Sequence, residues 1–133
     1  MDLGKFDVKT GSNNGAFLHL CHPVSGERLV TDDGENIGIT LLGEHSDLVR
    51  KKIHKLVNAR NNGKRRAKAQ TSSEQNEQDG IDLLAGATLE VHNIEWNGET
   101  VTVDNVDRFY RDCPWAKDQV DEFVGDMSNF LGE

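Results

Sequence analysis

The bulky apolar side chains of this chain are crowded into its last third, and any fold it adopts has to be built around them. Residues 94–131 hold both tryptophans (Trp96, Trp115), the only tyrosine (Tyr110) and three of the five phenylalanines (Phe109, Phe123, Phe130). Aromatic side chains bury large areas and dominate core energetics, so the front of the chain is expected to pack against this block. Within it, Trp96-Asn97-Gly98-Glu99 between Ile94 and Val101 is a two-residue hairpin signal, because Asn-Gly tolerates the positive φ angles of the tight turn. Thr102 or Asp104 then caps a short helix carrying Val106, Phe109 and Tyr110, and Arg111-Asp112-Cys113 ends it. Pro114 restarts a helix at a first-turn position where its missing N–H costs nothing. In that last helix Ala116, Val120, Phe123, Val124, Met127 and Leu131 make one apolar stripe, and Lys117, Asp118, Asp121, Glu122 and Asp126 make the wet face.

Upstream the pattern changes. Thr10-Gly11-Ser12-Asn13-Asn14-Gly15 reads as a loop. Phe17-Leu18-His19-Leu20-Cys21 suits a strand ended by His22-Pro23, Arg28 to Thr31 a return strand, and Ile37 to Leu42 a further one. Residues 1–45 are therefore predicted as a small β meander. Ser46 and Asp47 open a basic helix over 46–63, in which Val49, Ile53, Leu56 and Val57 fall on one stripe. Residues 64–77 carry almost nothing apolar larger than alanine, so they read as a mobile linker or a solvated extension of a neighbouring helix. Ser72-x-x-Gln75 has capping-box spacing, and Ile81, Leu84, Thr88 and Val91 recur at three- and four-residue steps, predicting a helix that runs on to Val91. The expectation is one α+β domain over 1–133, with a helical unit of about four helices and an Asn-Gly hairpin (78–133 with the basic helix) behind the meander.

Charge is placed unevenly. Residues 1–49 sum to −5, residues 50–70 to +9 and residues 71–133 to −12, giving −8 overall. The basic patch comprises Arg50, Lys51, Lys55, Lys64, Arg65, Arg66 and Lys68 among others. It could neutralise phosphates, yet no aromatic stacking platform lies near it and the acidic remainder repels a polyanion, which leaves nucleic-acid binding as the weaker alternative. A solvated helix face, or a face that meets the acidic C-terminal region of its own or a neighbouring copy in a homo-oligomer, accounts for it as well.

Sites for chemistry are sparse. His19-x-Cys21-His22 offers three metal-capable side chains, but no second pair at zinc spacing follows. His45, His54 and His92 are scattered, and Cys21 and Cys113 are expected as free thiols. There is no nucleophile elbow, phosphate-binding glycine loop or HExxH spacing, and Asp32-Asp33 and Asp121-Glu122 read as solvated carboxylates. No catalytic residue, cofactor or metal is expected. No apolar run approaches the roughly 18 residues of a membrane span, and the N-terminus lacks a signal-peptide order, so the protein is expected to stay where it is made.

Leu83-Leu84-Ala85 through Trp96-Asn97-Gly98-Glu99, then Asn105-Val106 to Tyr110, Pro114-Trp115, Gln119-Val120 and Asn129-Phe130-Leu131, resembles a family of small phage and prophage proteins, the tail assembly chaperones of long-tailed phages. The front is similar more loosely, in His22-Pro23-x-Ser25-Gly26-Glu27 and in Ile39-Thr40-Leu41-x-Gly43 followed by Ser46 and a basic helix. The resemblance implies a non-catalytic protein of the bacterial host cytoplasm that binds the tape measure protein, and possibly engages the tail-tube protein, during tail assembly. A tail or neck component retained in the virion, joining a neighbour through a sheet edge, is the structural alternative. For the partner surface the residues singled out are Trp115, Phe123, Met127, Phe130 and Leu131. Leu131 continues the helical stripe into the core, whereas Phe130, 100° aside on the wheel, is the expected contact.

Overall fold

The computed structural model describes residues 2–67 and 73–131, without the side chains of 60–67, 73 and 74, and the fold is α+β. The elements run α1 (Val8–Asn14), β1 (Ala16–His19), β2 (Gly38–Leu41), α2 (Asp47–Ala67), α3 (Ser73–Ala87), β3 (Thr88–His92), β4 (Glu95–Trp96), β5 (Glu99–Thr100), α4 (Val106–Asp112) and α5 (Pro114–Gly125). Single 3₁₀ turns at Leu3–Phe6 and Met127–Phe130 flank them.

β1, β2 and β3 form an antiparallel sheet with β2 in the centre. Leu18, Ile39 and Val91 lie in one row across it, and Phe17, Thr40 and Glu90 in the next. Because side chains alternate along a strand, the first row faces the core and the second the opposite side of the sheet. Leu20, Ile39 and Leu41 then meet Ile81 and Leu84 of α3, Val106, Phe109 and Tyr110 of α4, and Ala116, Val120 and Val124 of α5 in one buried cluster. The aromatic block of the sequence does supply the helical layer over which the front of the chain packs.

The Asn97-Gly98 turn forms as predicted, with φ of +52° and +85°, and pairs Glu95 with Thr100 and Trp96 with Glu99. It sets the Trp96 ring edge-on to Phe109 at 5.7 Å between centroids. Tyr110 is almost wholly buried, and its hydroxyl lies 2.7 Å from Thr88 Oγ1. Thr88 Oγ1 already donates its one proton to the Leu84 carbonyl, so the tyrosine is the donor of the pair.

Four expectations need correction. The glycine-rich front is not all loop and strand: Asp7 caps a helix by accepting from Thr10 N–H and Oγ1, and α1 follows, so residues 1–45 are not purely a β meander. The return strand at Arg28 to Thr31 shrinks to isolated bridges, Cys21 with Arg28 and Val30 with Asn36. The third strand comes instead from residues predicted as helix. Thr88 closes α3 by its bond back to Leu84, after which Thr88–His92 takes the open edge of β2, a tertiary contact that outweighs the helical spacing. Finally, α2 passes the end predicted for it at residue 63 and runs to Ala67, and α3 begins at Ser73, so both ends of the 64–77 stretch are the helical extension that stood as the alternative to a linker. The remainder of that stretch, Ser72 with its capping box included, lies outside the described residues.

Candidate functional site

The start of α2 is fixed from several sides. Ser46 is fully buried and its Oγ accepts from Val49 N–H at 3.2 Å, the N-cap role its sequence position suggests. Asn13 of α1 docks on the same turn, accepting from Asp47 N–H at 2.8 Å, and Lys9 pairs with the Asp47 carboxylate at 3.3 Å. From this anchored end the apolar stripe emerges step by step: Val49 is 1% exposed, Ile53 and Leu56 are half-buried, and Val57 is 46% exposed. Leu42, Val49 and Ala87 form a small core of their own, with Ile53 and Leu83 packed against it.

Beyond that small core α2 and α3 enclose an open groove of about 280 Å³, lined by Leu56, Ala59 and Leu83 with Lys52, Lys55 and Asp82. The lysines are amphipathic walls rather than mere charges. A Cβ on Gly86 would sit 2.9 Å from Lys52 Cδ and 3.0 Å from its Nζ, so the glycine lets the lysine side chain lie across α3. Gln75-Asn76-Glu77-Gln78, the described side chains of the first part of α3, are all polar and offer the groove no apolar lid. That polar run next to an apolar stripe was the available signal in the sequence, which gave the stripe but not its exposure.

The C-terminal partner surface expected from the sequence does not stay together. α5 stops at Gly125, and Asp126 adopts an extended conformation and caps the 3₁₀ turn, accepting from Ser128 Oγ at 2.7 Å and Ser128 N–H at 3.0 Å. These bonds, that to the Ser128 side chain first, hold the Asp126 carboxyl below its ordinary pKa. The turn breaks the helical register and reverses two expectations. Phe130, the expected contact, is 3% exposed and edge-on to Phe123 at 5.5 Å, while Leu131, expected in the core, is 38% exposed. Met127 is 53% exposed, whereas Trp115 and Phe123 are half-buried against the main core. Of the basic patch, Arg50, Lys51 and Lys55 are exposed on α2; the side chains of Lys64, Arg65 and Arg66, and Lys68 altogether, lie outside the described residues.

The metal-capable side chains have local partners. His22 Nδ1 accepts from Val24 and Ser25 N–H, both at 3.1 Å, and so shapes its own turn. Phe17 lies edge-on to both His19 and His92, and His92 Nε2 bonds Thr40 Oγ1 at 3.0 Å. Cys21 and Cys113 are free thiols, and burial pushes the Cys113 thiol up from its ordinary pKa. Among the described residues no group of three or more His, Cys, Asp or Glu is placed to hold a metal ion, and no helix is long and apolar enough to cross a membrane. Comparison of the chain with protein-family models, with curated proteins and with solved structures returned no match.

Proposed function

We propose that this chain is a non-catalytic phage tail assembly chaperone that holds a helical segment of the tape measure protein between α2 and α3, and assists tail-tube assembly in the cytoplasm of the bacterial host. The assignment to tail assembly rests on the sequence resemblance carried by Leu83 to Leu131. The observation that carries the binding mode is the groove, open among the described residues, with Leu56, Ala59 and Leu83 inside and Lys52, Lys55 and Asp82 along it. Two packed helices with an unfilled apolar seam accept the apolar face of a third, and the lysines favour a segment flanked by acidic residues. The tail-tube protein is the second partner on this reading. A permanent tail or neck component is the other reading, and the free edge of the β-sheet favours it.

Co-expression with the tape measure protein tests the binding mode. Leu56→Asp places a charge in the seam of a half-buried site, so it should abolish co-purification while leaving the melting temperature near that of the parent. Undiminished capture by Leu56→Asp would move the partner off this groove, and no capture by the parent chain would remove the tape measure protein as partner. Recovery of the chain in finished particles would favour the structural role.

A further inference from the structure

A second surface, built from different residues, lies along the outer edge of β1. Leu20 N–H bonds to Ile37 carbonyl at 3.0 Å, so the backbone groups of Leu20 turn toward the β2 side. In an antiparallel ladder those directions alternate, which turns the N–H and C=O of Phe17, His19 and Cys21 outward. At Cys21 this is visible directly: its N–H donates to Gln119 Oε1 at 2.9 Å and its carbonyl accepts from Gln119 Nε2 at 2.8 Å. The side-chain amide of Gln119 thus occupies the place of a peptide group in a neighbouring strand. Further along the edge, Phe17 and His19 have no backbone partner on that side among the described residues, apart from the Cys21 thiol 3.6 Å from the His19 carbonyl.

α5 and the turn after it run beside this edge and leave a groove of about 450 Å³. Leu18 and Phe123 give it apolar lining, and Glu122 of α5 and Asp126 just past the helix end give the opposite wall two exposed carboxylates. Neither carboxylate forms an ion pair among the described residues. An unpaired edge beside a helix combines main-chain pairing with a side-chain wall, which is how extended peptides are taken up by strand addition.

We propose that this groove binds an extended, lysine- or arginine-rich peptide segment, which adds to β1 as a fourth strand, pairs with the backbone of Phe17 and His19, and sets its basic side chains against Glu122 and Asp126. Gln119 ends the pairing at Cys21 and so fixes where the added strand stops. A second copy of the chain would bring its own acidic wall to the same edge, which disfavours self-pairing there.

Amide exchange and NMR titration on the full chain test this, with a panel of synthetic peptides alternating valine with lysine or arginine and matched peptides carrying glutamate instead. In the free chain the Phe17 and His19 amides should exchange fast while Leu18 and Leu20 are protected. The basic peptides should slow exchange at Phe17 and His19 and shift the resonances of Gln119 and Glu122; the glutamate peptides should not. Glu122→Lys, at an exposed side chain with no ion pair among the described residues, should weaken the basic peptides several-fold with an unchanged melting temperature. Protection of Phe17 and His19 in the free chain, no response to any basic peptide, or an equal response to the glutamate set would overturn the proposal. Protection that grows with protein concentration alone would assign the edge to a second copy and overturn it too. None of these readouts involves the α2–α3 groove, so the outcome is independent of the tape measure reading.

Discussion

Phe130 is held by two glycines. A Cβ on Gly11 would overlap the Phe130 carbonyl, and one on Gly43 would come within 3.0 Å of its ring and 2.8 Å of Ser12 Cβ. The absence of side chains at these points lets the C-terminal turn close over α1 with the ring underneath, against Phe123. Removing a buried phenylalanine costs its transfer energy and leaves a cavity, so Phe130→Ala should lose about 3–5 kcal/mol in urea unfolding. The binding proposed for the α2–α3 groove should persist wherever the variant is still folded. A variant as stable as the parent would contradict the burial of this ring. Helical-wheel reasoning had the opposite assignment for Phe130 and Leu131 because it carried the α5 register past Gly125. The Asp126–Ser128 cap that breaks the register is short-range and readable in retrospect, since Asp-x-Ser is a common capping spacing.

Among the elements, the β4–β5 hairpin depends most on one position. Gly98 has φ of +85° and open space around its Cβ site, so a substitution there is resisted by backbone strain and not by crowding. Gly98→Val should therefore cost about 1–3 kcal/mol and lower the melting temperature, with the loss traced to Trp96 and its contact with Phe109. An unchanged melting temperature would show that the turn carries no such strain. This hairpin, the restart of helix at Pro114 and the start of α2 at Ser46 were legible because each is decided within a few residues. β3 was not, because a stretch such as Thr88–His92 satisfies both helical and alternating spacing and only the edge of β2 decides between them. α1 was hidden for a related reason: its glycines and asparagines favour a loop, and its contacts with Asp47 and the Phe130 turn come from far along the chain. The proposed binding surfaces were the least legible, since exposure of Val57 or of the β1 edge is a property of what fails to pack there.

For the molecule as a whole, Tyr110 is a built-in reporter, being the only tyrosine and lying where sheet, α3 and α4 meet. Burial raises its pKa from 10.0 to about 12. The unfolded chain releases this proton near 10 and the folded chain does so only later, so the associated stability is complete below pH 10 and is lost as pH rises toward 12. That rise corresponds to roughly 3 kcal/mol. Tyrosinate absorbance and circular dichroism followed together should rise and fall in step in this window; a tyrosinate signal that develops near pH 10 with the fold intact would contradict the burial.

The hydrogen bond from Leu42 N–H to the Ala87 carbonyl, 2.8 Å long, has a bearing on how such a protein can change over time. It joins the point where the chain leaves the sheet to the point where it returns, so the excursion through α2 and α3 has a closed base, while Ile81 and Leu84 of α3 stay in the main core. Matched insertions of two helical turns on each arm, placed on the far side of Ile81 and Leu84 from the base, would preserve the base, the facing sides of the helices and the main core. The reach of the α2–α3 excursion is therefore free to vary among descendants while the rest of the fold stays under the constraint of close packing.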